Sequence, residues 1–275
     1  MTLFDAYDKI GGQLNVAREI PSKREFDETI RYFGNMLTEH KVAVKLNKKV
    51  SAAELIAEKF DDVILATGIV PRKLNIPGAE SSNVMSYLDV LREKKPVGKS
   101  VAIIGGGGIG YDTALYLTDG GRETWAKPEE FAKEWGFDLT VSTPAGLTQK
   151  SAEHHKSPRQ VTMFKRSKGK FGGTLGKTTG WVHKITLEER GVTQFSNVTY
   201  EKVDAQGLHY AQKGETKILP CETIVVCAGQ EPLRELEGDL LAAGVSVHII
   251  GGAKEAGELD AKRAIADGAE LGARL

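Results

Sequence analysis

The 275-residue sequence has only two cysteines, Cys221 and Cys227. No C-x-x-C pair exists, so a dithiol redox centre and a cysteine-ligated iron–sulfur cluster are excluded from this chain. Cys227 sits in an apolar, strand-like run and reads as a buried free thiol. The alternative is a disulfide with Cys221; cysteine scarcity weighs against it and points to a reducing, cytoplasmic home. Net charge is also lacking: 37 Lys and Arg balance 37 Asp and Glu, without the clustered basic excess of a nucleic-acid binder. Long apolar runs are missing too. The longest, such as VILA (63–66) and ETIVVCAG (222–229), are far too short to span a bilayer, and the start does not read as a signal peptide. Neither nucleic acid nor membrane is therefore an expected partner. His154 and His155 are adjacent, without metal-ligand spacing, and read as loop residues; no metal site is expected.

Glycine is plentiful, at 31 residues, and clusters where strands seem to end. One pattern occurs twice. Residues 61–71 read DDVILATGIVP and residues 222–232 read ETIVVCAGQEP. Each has an acidic start, a short β-favouring run, a Gly and a closing Pro. Such runs, apolar on both faces, read as buried parallel strands. The glycine that follows, Gly68 after Ala66-Thr67 and Gly229 after Ala228, removes a Cβ and lets a ligand come close. Two similar strands arising by chance is the bland alternative.

A full dinucleotide-binding unit precedes the second copy. In SVAIIGGGGIG (100–110), Val101–Ile104 is the strand and Gly105, Gly107 and Gly110 supply G-x-G-x-x-G. The residues from Tyr111 onward read as a helix. The motif alone is weak; strand before and helix after is the context that gives it weight. Gly105 allows the tight turn, Gly107 lets the main chain approach a pyrophosphate, and Gly110 lets helix and strand pack closely. The helix N-terminus then faces the phosphates with free N–H groups. The next strand, QVTMFKRS (160–167), ends in Lys165 and Arg166. An acid there would hold an NAD ribose; cations favour a 2′-phosphate, hence NADPH. A solvated basic loop is the alternative. Residues 119–158 are then an insertion, with one short helix at 128–136.

The first copy implies a second fold of the same type. Residues 1–5 read as a short strand ending in Asp5, where a carboxylate meets a ribose. Gly11-Gly12-Gln13 is a turn open to a ligand. Ser22 and Glu25 fit a capping box, followed by a helix with Phe26, Ile30, Phe33 and Leu37 on one face. Val42, Val44 and Leu46 alternate as a strand. Val247–Gly252 reads as a strand closing on Gly251 and Gly252, and residues 258–271 as a helix with Leu259, Ala264, Ile265 and Ala269 inward. A plain terminal strand and helix is the alternative to a flavin-end site. The phosphate loop of this fold is expected before Met1. The resulting expectation is an α/β protein of two Rossmann-like domains: an NADPH domain (97–230) inserted in an N-terminally truncated FAD-type domain (1–96 plus 231–275).

These residues resemble the C-terminal half of the bacterial NADPH-dependent 2,4-dienoyl-CoA reductases, of the old yellow enzyme and trimethylamine dehydrogenase-like group. The strings carrying the resemblance include IGGQLN (10–15), ILATGIVPR (64–72), SPRQ (157–160), LGKTTGWVHK (175–184), CAGQEP (227–232) and ELDAKRAI (258–265). The resemblance implies FAD against Asp5, Gly12, Gln13, Ala66, Thr67 and Gly68, with Gly251, Gly252, Leu259 and Asp260 near the flavin. It implies the NADPH pyrophosphate on Gly105, Gly107, Gly108, Ile109 and Gly110, with Arg166 and Lys165 on the 2′-phosphate. Lys177 and Thr178 would line the crevice between domains. Lys254 stands near the place where many flavoproteins carry an Asp. It further implies a separate N-terminal barrel, absent here, with FMN, a four-iron cluster and the catalytic residues for dienoyl thioesters. Hydride transfer needs positioning rather than acid–base groups, so no catalytic dyad is expected in this chain. The rival reading is an NADPH-binding module without FAD or turnover.

Overall fold

The structure, a computed structural model, describes residues 1–148, 155–257 and 260–275. The chain divides into two compact units, one of residues Met1–Val16, Glu25–Arg72 and Gly229–Leu275, the other of Ala17–Arg24 and Lys73–Ala228. The fold is mixed α/β with a parallel sheet.

The second unit is built on five parallel strands, in the order Val84–Ser86, Thr223–Val226, Ser100–Ile104, Gln160–Lys165, Thr193–Ser196. Its two most apolar strands occupy inner positions. Val101–Ile104 and Thr223–Val226 are buried throughout, as an unbroken apolar run in a sheet covered on both faces demands. On one face lies an antiparallel meander of Val198–Asp204, Gly207–Gln212 and Glu215–Leu219. Its Val203, Leu208 and Tyr210 close a core with Ala102, Ile104, Phe164 and Ile224. The Phe164 ring meets Tyr210 edge-on at 4.8 Å and stacks on Phe195 at 5.5 Å. Each such side chain contributes about 1.5–3 kcal/mol by burial. Helices Gly108–Asp119 and Gly180–Glu189 contact each other. The Val84–Ser86 strand brings residues 73–96 into this compact unit, whose first boundary in the contacts lies at 72/73. The pattern of the first 96 residues could not show this, because the strand's partner lies near residue 225.

In the first unit the parallel strands form two pairs, Thr2–Phe4 with Ala43–Lys45 and Asp62–Leu65 with Ser246–Ile249. Phe4, Val63, Leu65 and Val247 share one core cluster with Ala52, Leu55 and Leu240. The 62–65 strand was expected to be buried on both faces. Val63 and Leu65 are buried, but Ile64 is 41% exposed, so only one face is covered in this structure. The two repeat copies meet: Ile69–Pro71 pairs antiparallel with Gln230–Pro232. Their prolines sit at opposite ends of this two-stranded ribbon, where a missing N–H costs least.

Local chemistry corrects several readings. Ser22 and Glu25 form no capping box: Ser22 has φ +68°, and Glu25 caps the Phe26–Glu39 helix without a side-chain bond. Phe33 lies outside the covered face at 38% exposure, edge-on to Tyr32. The genuine boxes are Ser51 with Glu54 and Ser86 with Asp89. The terminal helix, Ala261–Gly272, buries none of its residues; Ala264, Ile265 and Ala269 are exposed, while Asp267 turns inward to bind the Gly251 N–H at 2.9 Å. A polar contact, rather than an apolar stripe, sets its rotation. Leu259 and His154 lie outside the described residues.

The Glu54 box has a measurable consequence. Its hydrogen bond from Lys48, then those from Ser51, hold the Glu54 carboxyl at about 2 instead of 4.5. A depressed carboxyl stabilises the fold above its unfolded value and loses that contribution as pH falls through the folded value. Glu54→Gln is therefore expected to flatten the acid limb of stability between pH 4.5 and 2, as read by denaturant midpoints across that range.

Candidate functional site

The site grows from the end of the Ser100–Ile104 strand. Gly105 N–H continues the ladder to Phe164 O at 2.8 Å, and Cys227 N–H to Ile104 O at 2.8 Å. The chain then turns at Gly105, whose φ of +133° favours glycine. A Cβ there would lie 2.6 Å from Cys227 O. Gly107, extended at φ −87° and ψ −171°, caps the helix Gly108–Asp119. A Cβ on Gly110 would stand 2.1 Å from Gly105 O, so only glycine lets helix and turn approach this closely. Gly107 and Gly108 have nothing within 4 Å of a built Cβ. The turn is thus tight beneath and open above. The first N–H groups of a helix have no partner within it and carry the positive dipole end. An anion seated above Gly107, Gly108 and Ile109 would meet them. These residues fit a dinucleotide pyrophosphate.

The neighbouring Gln160–Lys165 strand delivers a cationic loop to the same end of the sheet. Arg166, Lys168 and Lys170 are exposed. Lys165 is placed differently: its Nζ donates to Lys170 O at 2.8 Å and lies 5.1 Å from the centre of the Phe171 ring. Behind the turn, burial pushes the Cys227 thiol up to about 12; its Sγ is 3.5 Å from Thr113 Oγ1, and it is free. Lys177 and Thr178 are exposed just ahead of the Gly180–Glu189 helix, with Thr178 O accepting from Trp181 Nε1 at 3.0 Å.

Two groupings escaped the sequence reading. Lys23 Nζ binds both Asp112 carboxylate oxygens, at 2.7 and 2.8 Å, one turn into the helix. His183 is held below its ordinary value by burial and by Lys23. Below the helix, Arg190 Nη2 meets Asp119 at 3.2 Å and Glu134 at 3.7 Å. His155 Nδ1 is 3.0 Å from Glu134, whose other oxygen accepts from Thr124 at 2.6 Å. His155 lies in a loop, as expected, and is at the same time a buried member of this cluster. Sequence separations of 89 for Lys23–Asp112 and 71 for Arg190–Asp119 leave no local signal.

In the first unit, Asp5 follows the Thr2–Phe4 strand, with Oδ1 accepting from Tyr7 N–H at 2.9 Å. Gly12, at φ +48°, and Gly68, at φ +78°, are open. Gln13 precedes the short Leu14–Ala17 helix. Ala66 and Thr67 are exposed, with Thr67 Oγ1 bonded to Leu233 O at 2.5 Å. A Cβ on Gly252 would stand 3.2 Å from Gly68 Cα, so the ends of the two paired strands converge. The Arg72 guanidinium covers Gly229; Ala228 belongs to the second unit. Asp260 caps the terminal helix through Lys262 N–H at 2.9 Å. Asp267, held below the usual carboxylate range by the Gly251 N–H and then by Lys254, already occupies the Gly251 donor. Open glycines at the strand ends fit a second dinucleotide; the Gly251 N–H does not offer itself to one.

Among the described residues no helix is long and apolar enough to cross a membrane. The chain is 26% identical, over 92% of its length, to the metal reductase of Desulforamulus reducens, and matches 37% of that protein. It is 26% identical, over 98% of its length, to the bilirubin reductase of Mediterraneibacter gnavus, and matches 36% of it. Among solved structures it superposes on a 2-naphthoyl-CoA reductase with a TM-score of 0.81 at 22% identity, covering all of this chain and 36% of that one. The chain thus spans little more than a third of the length of these relatives. The model of the pyridine nucleotide-disulphide oxidoreductase family matches residues 11–254. A strand, an open glycine turn and a helix in the second unit, with convergent glycine-bearing strand ends in the first, are what that match predicts: the chain is an FAD- and NAD(P)-binding oxidoreductase domain of the pyridine nucleotide-disulphide oxidoreductase family.

Proposed function

We propose that this chain takes reducing equivalents from NADPH onto FAD and feeds a barrel carrying FMN and a four-iron cluster. That barrel would reduce 2,4-dienoyl-CoA thioesters in the β-oxidation of unsaturated fatty acids. When bound, NADPH supplies the hydride that FAD accepts. The residues of this chain bind and orient. Gly105 and Gly110 shape the turn, and Gly107, Gly108 and Ile109 present N–H groups to the pyrophosphate. Arg166 gives the 2′-phosphate paired donors; Asp5, Gly12, Gln13, Ala66, Thr67 and Gly68 receive the flavin dinucleotide. The barrel would come from the length that this chain does not share with its relatives, and the dienoyl-CoA substrate rests on the LGKTTGW and SPRQ strings.

The observation that carries the NADPH reading is the open Gly107–Gly108 turn beside exposed Arg166, Lys168 and Lys170. Titration with NADPH and NADH, followed by fluorescence, tests it. NADPH is expected to bind at least about tenfold tighter, the scale of one charge-assisted hydrogen bond, and Arg166→Gln to remove that preference. Equal affinities in the unaltered protein would sink the assignment. A second reading, an NADPH-binding module without flavin, is favoured by the separation of the first unit's parallel strands into two pairs. A yellow protein with flavin absorbance supports the first reading; a colourless one that still binds NADPH supports the second.

A further inference from the structure

We propose that Lys165 and Phe171 form a clasp that sets the shape of the cationic 166–170 loop against the glycine turn, making Lys165 a positioning residue for the 2′-phosphate rather than a contact to it. The inference rests on the NADPH reading above. It begins with a glycine outside the G-x-G-x-x-G pattern. A Cβ on Gly106 would lie 2.8 Å from Phe171 Cε1 and 3.1 Å from Lys165 Cδ. The buried Phe171 ring therefore sits directly on the main chain of the turn. The Lys165 stem lies beside it, and its ammonium faces the ring at 5.1 Å. The same ammonium donates to Lys170 O at 2.8 Å, closing residues 165–170 into a ring.

Two further ties hold this loop. Asn197 N–H donates to Ser167 O at 3.2 Å. Gly172, at φ +66°, is wedged where a Cβ would stand 2.5 Å from Lys184 Cε and 3.0 Å from the Tyr111 hydroxyl. Residues 166–170 are thus strung between fixed ends, with Arg166, Lys168 and Lys170 exposed. Three like charges in five residues repel one another, and a free loop would splay. Holding the loop in advance removes the ordering cost from binding, and Phe171 on Gly106 sets its position relative to the pyrophosphate turn. The Lys165 ammonium spends one donor on the Lys170 carbonyl and lies over the Phe171 ring, which turns it back onto its own loop.

The full chain is titrated with NADPH and with NADH by fluorescence, for the unaltered protein and the variants Lys165→Met, Lys165→Arg, Phe171→Ala and Arg166→Gln. Lys165→Met and Phe171→Ala are each expected to weaken NADPH binding about five- to tenfold and to leave NADH within about twofold, as loss of pre-organisation would. Lys165→Arg, which also stacks and donates, is expected to restore the NADPH preference. Hydrogen exchange at 166–170 in the ligand-free protein should quicken in Lys165→Met while thermal midpoints stay close, which separates loop release from unfolding. If Arg166→Gln loses the NADPH preference while Lys165→Met and Phe171→Ala keep it, the clasp is overturned and the NADPH reading stands. If Lys165→Met loses it and Phe171→Ala keeps it, Lys165 touches the phosphate itself and the clasp is again overturned. If Arg166→Gln and the unaltered protein both bind NADPH and NADH alike, both inferences fall.

Discussion

Gly110→Ala is expected to lose both stability and dinucleotide affinity, whereas Gly108→Ala loses affinity alone. The Gly110 Cβ would stand 2.1 Å from Gly105 O, a main-chain atom. Neither side of that contact is a flexible side chain, so the helix must slide from the turn. Overpacking of this kind costs about 1–3 kcal/mol, and the displaced N–H groups lose the pyrophosphate. Two charge-assisted hydrogen bonds correspond to about 3 kcal/mol, or roughly a hundredfold in Kd. Gly108 starts the helix with nothing within 4 Å of a built Cβ, so alanine there leaves the fold intact and even adds helix propensity of up to about 1 kcal/mol. Its methyl group instead enters the space assigned to the ligand. Thermal midpoints and NADPH titrations of the two variants separate these effects. Unchanged NADPH affinity in Gly108→Ala would place the ligand elsewhere.

The second large effect lies far from the glycine turn. Arg190, Asp119, Glu134 and His155 are buried together, with side chains at most 9% exposed. Burial pulls the Arg190 guanidinium below its ordinary value, and Asp119 and Glu134 pull it back. The cluster binds the ends of the Gly108–Asp119 and Gly180–Glu189 helices to the short helix Pro128–Trp135 of the insertion. Arg190→Met is expected to destabilise the protein by about 3–5 kcal/mol, because two carboxylates are left buried without a cation. Adding Glu134→Gln should return part of that loss. Uncompensated buried carboxylates take up protons more readily, so the deficit of Arg190→Met should shrink as pH is lowered towards the ordinary carboxylate range. Denaturant midpoints at neutral and acidic pH measure both. A deficit within experimental scatter would show that the cluster contributes nothing net.

The glycine turn was legible in the sequence because each requirement there is local. Gly105 needs a positive φ, Gly110 must pack on a carbonyl five residues back, and both stand between an apolar strand and a helix. The short helix of the insertion was equally legible from a proline at its first position and a glycine after its last residue. The capping box at Ser22 was misread because a box is defined by φ and ψ as much as by residue type, and Ser22 has φ +68°. The rotation of the terminal helix differs from its apolar spacing because Asp267 reaches the Gly251 main-chain N–H, 16 residues back. The contact of Lys165 with a ring six residues later carries no pattern that the sequence reading uses.

By itself the sequence determined that a strand, a glycine turn and a helix follow one another at 100–119, that cations close the next strand, and that a matched pattern recurs at 61–71 and 222–232. Such properties live in backbone dihedrals and in spacing over a few residues. Only the tertiary structure decided that the two pattern tails pair with each other, that Lys23 meets Asp112, that His155 and Arg190 share Glu134, and that Phe171 rests on Gly106. These contacts join residues at least 21 positions apart, and chain folding alone brings such charges and rings within reach, where burial rather than sequence proximity sets their strength.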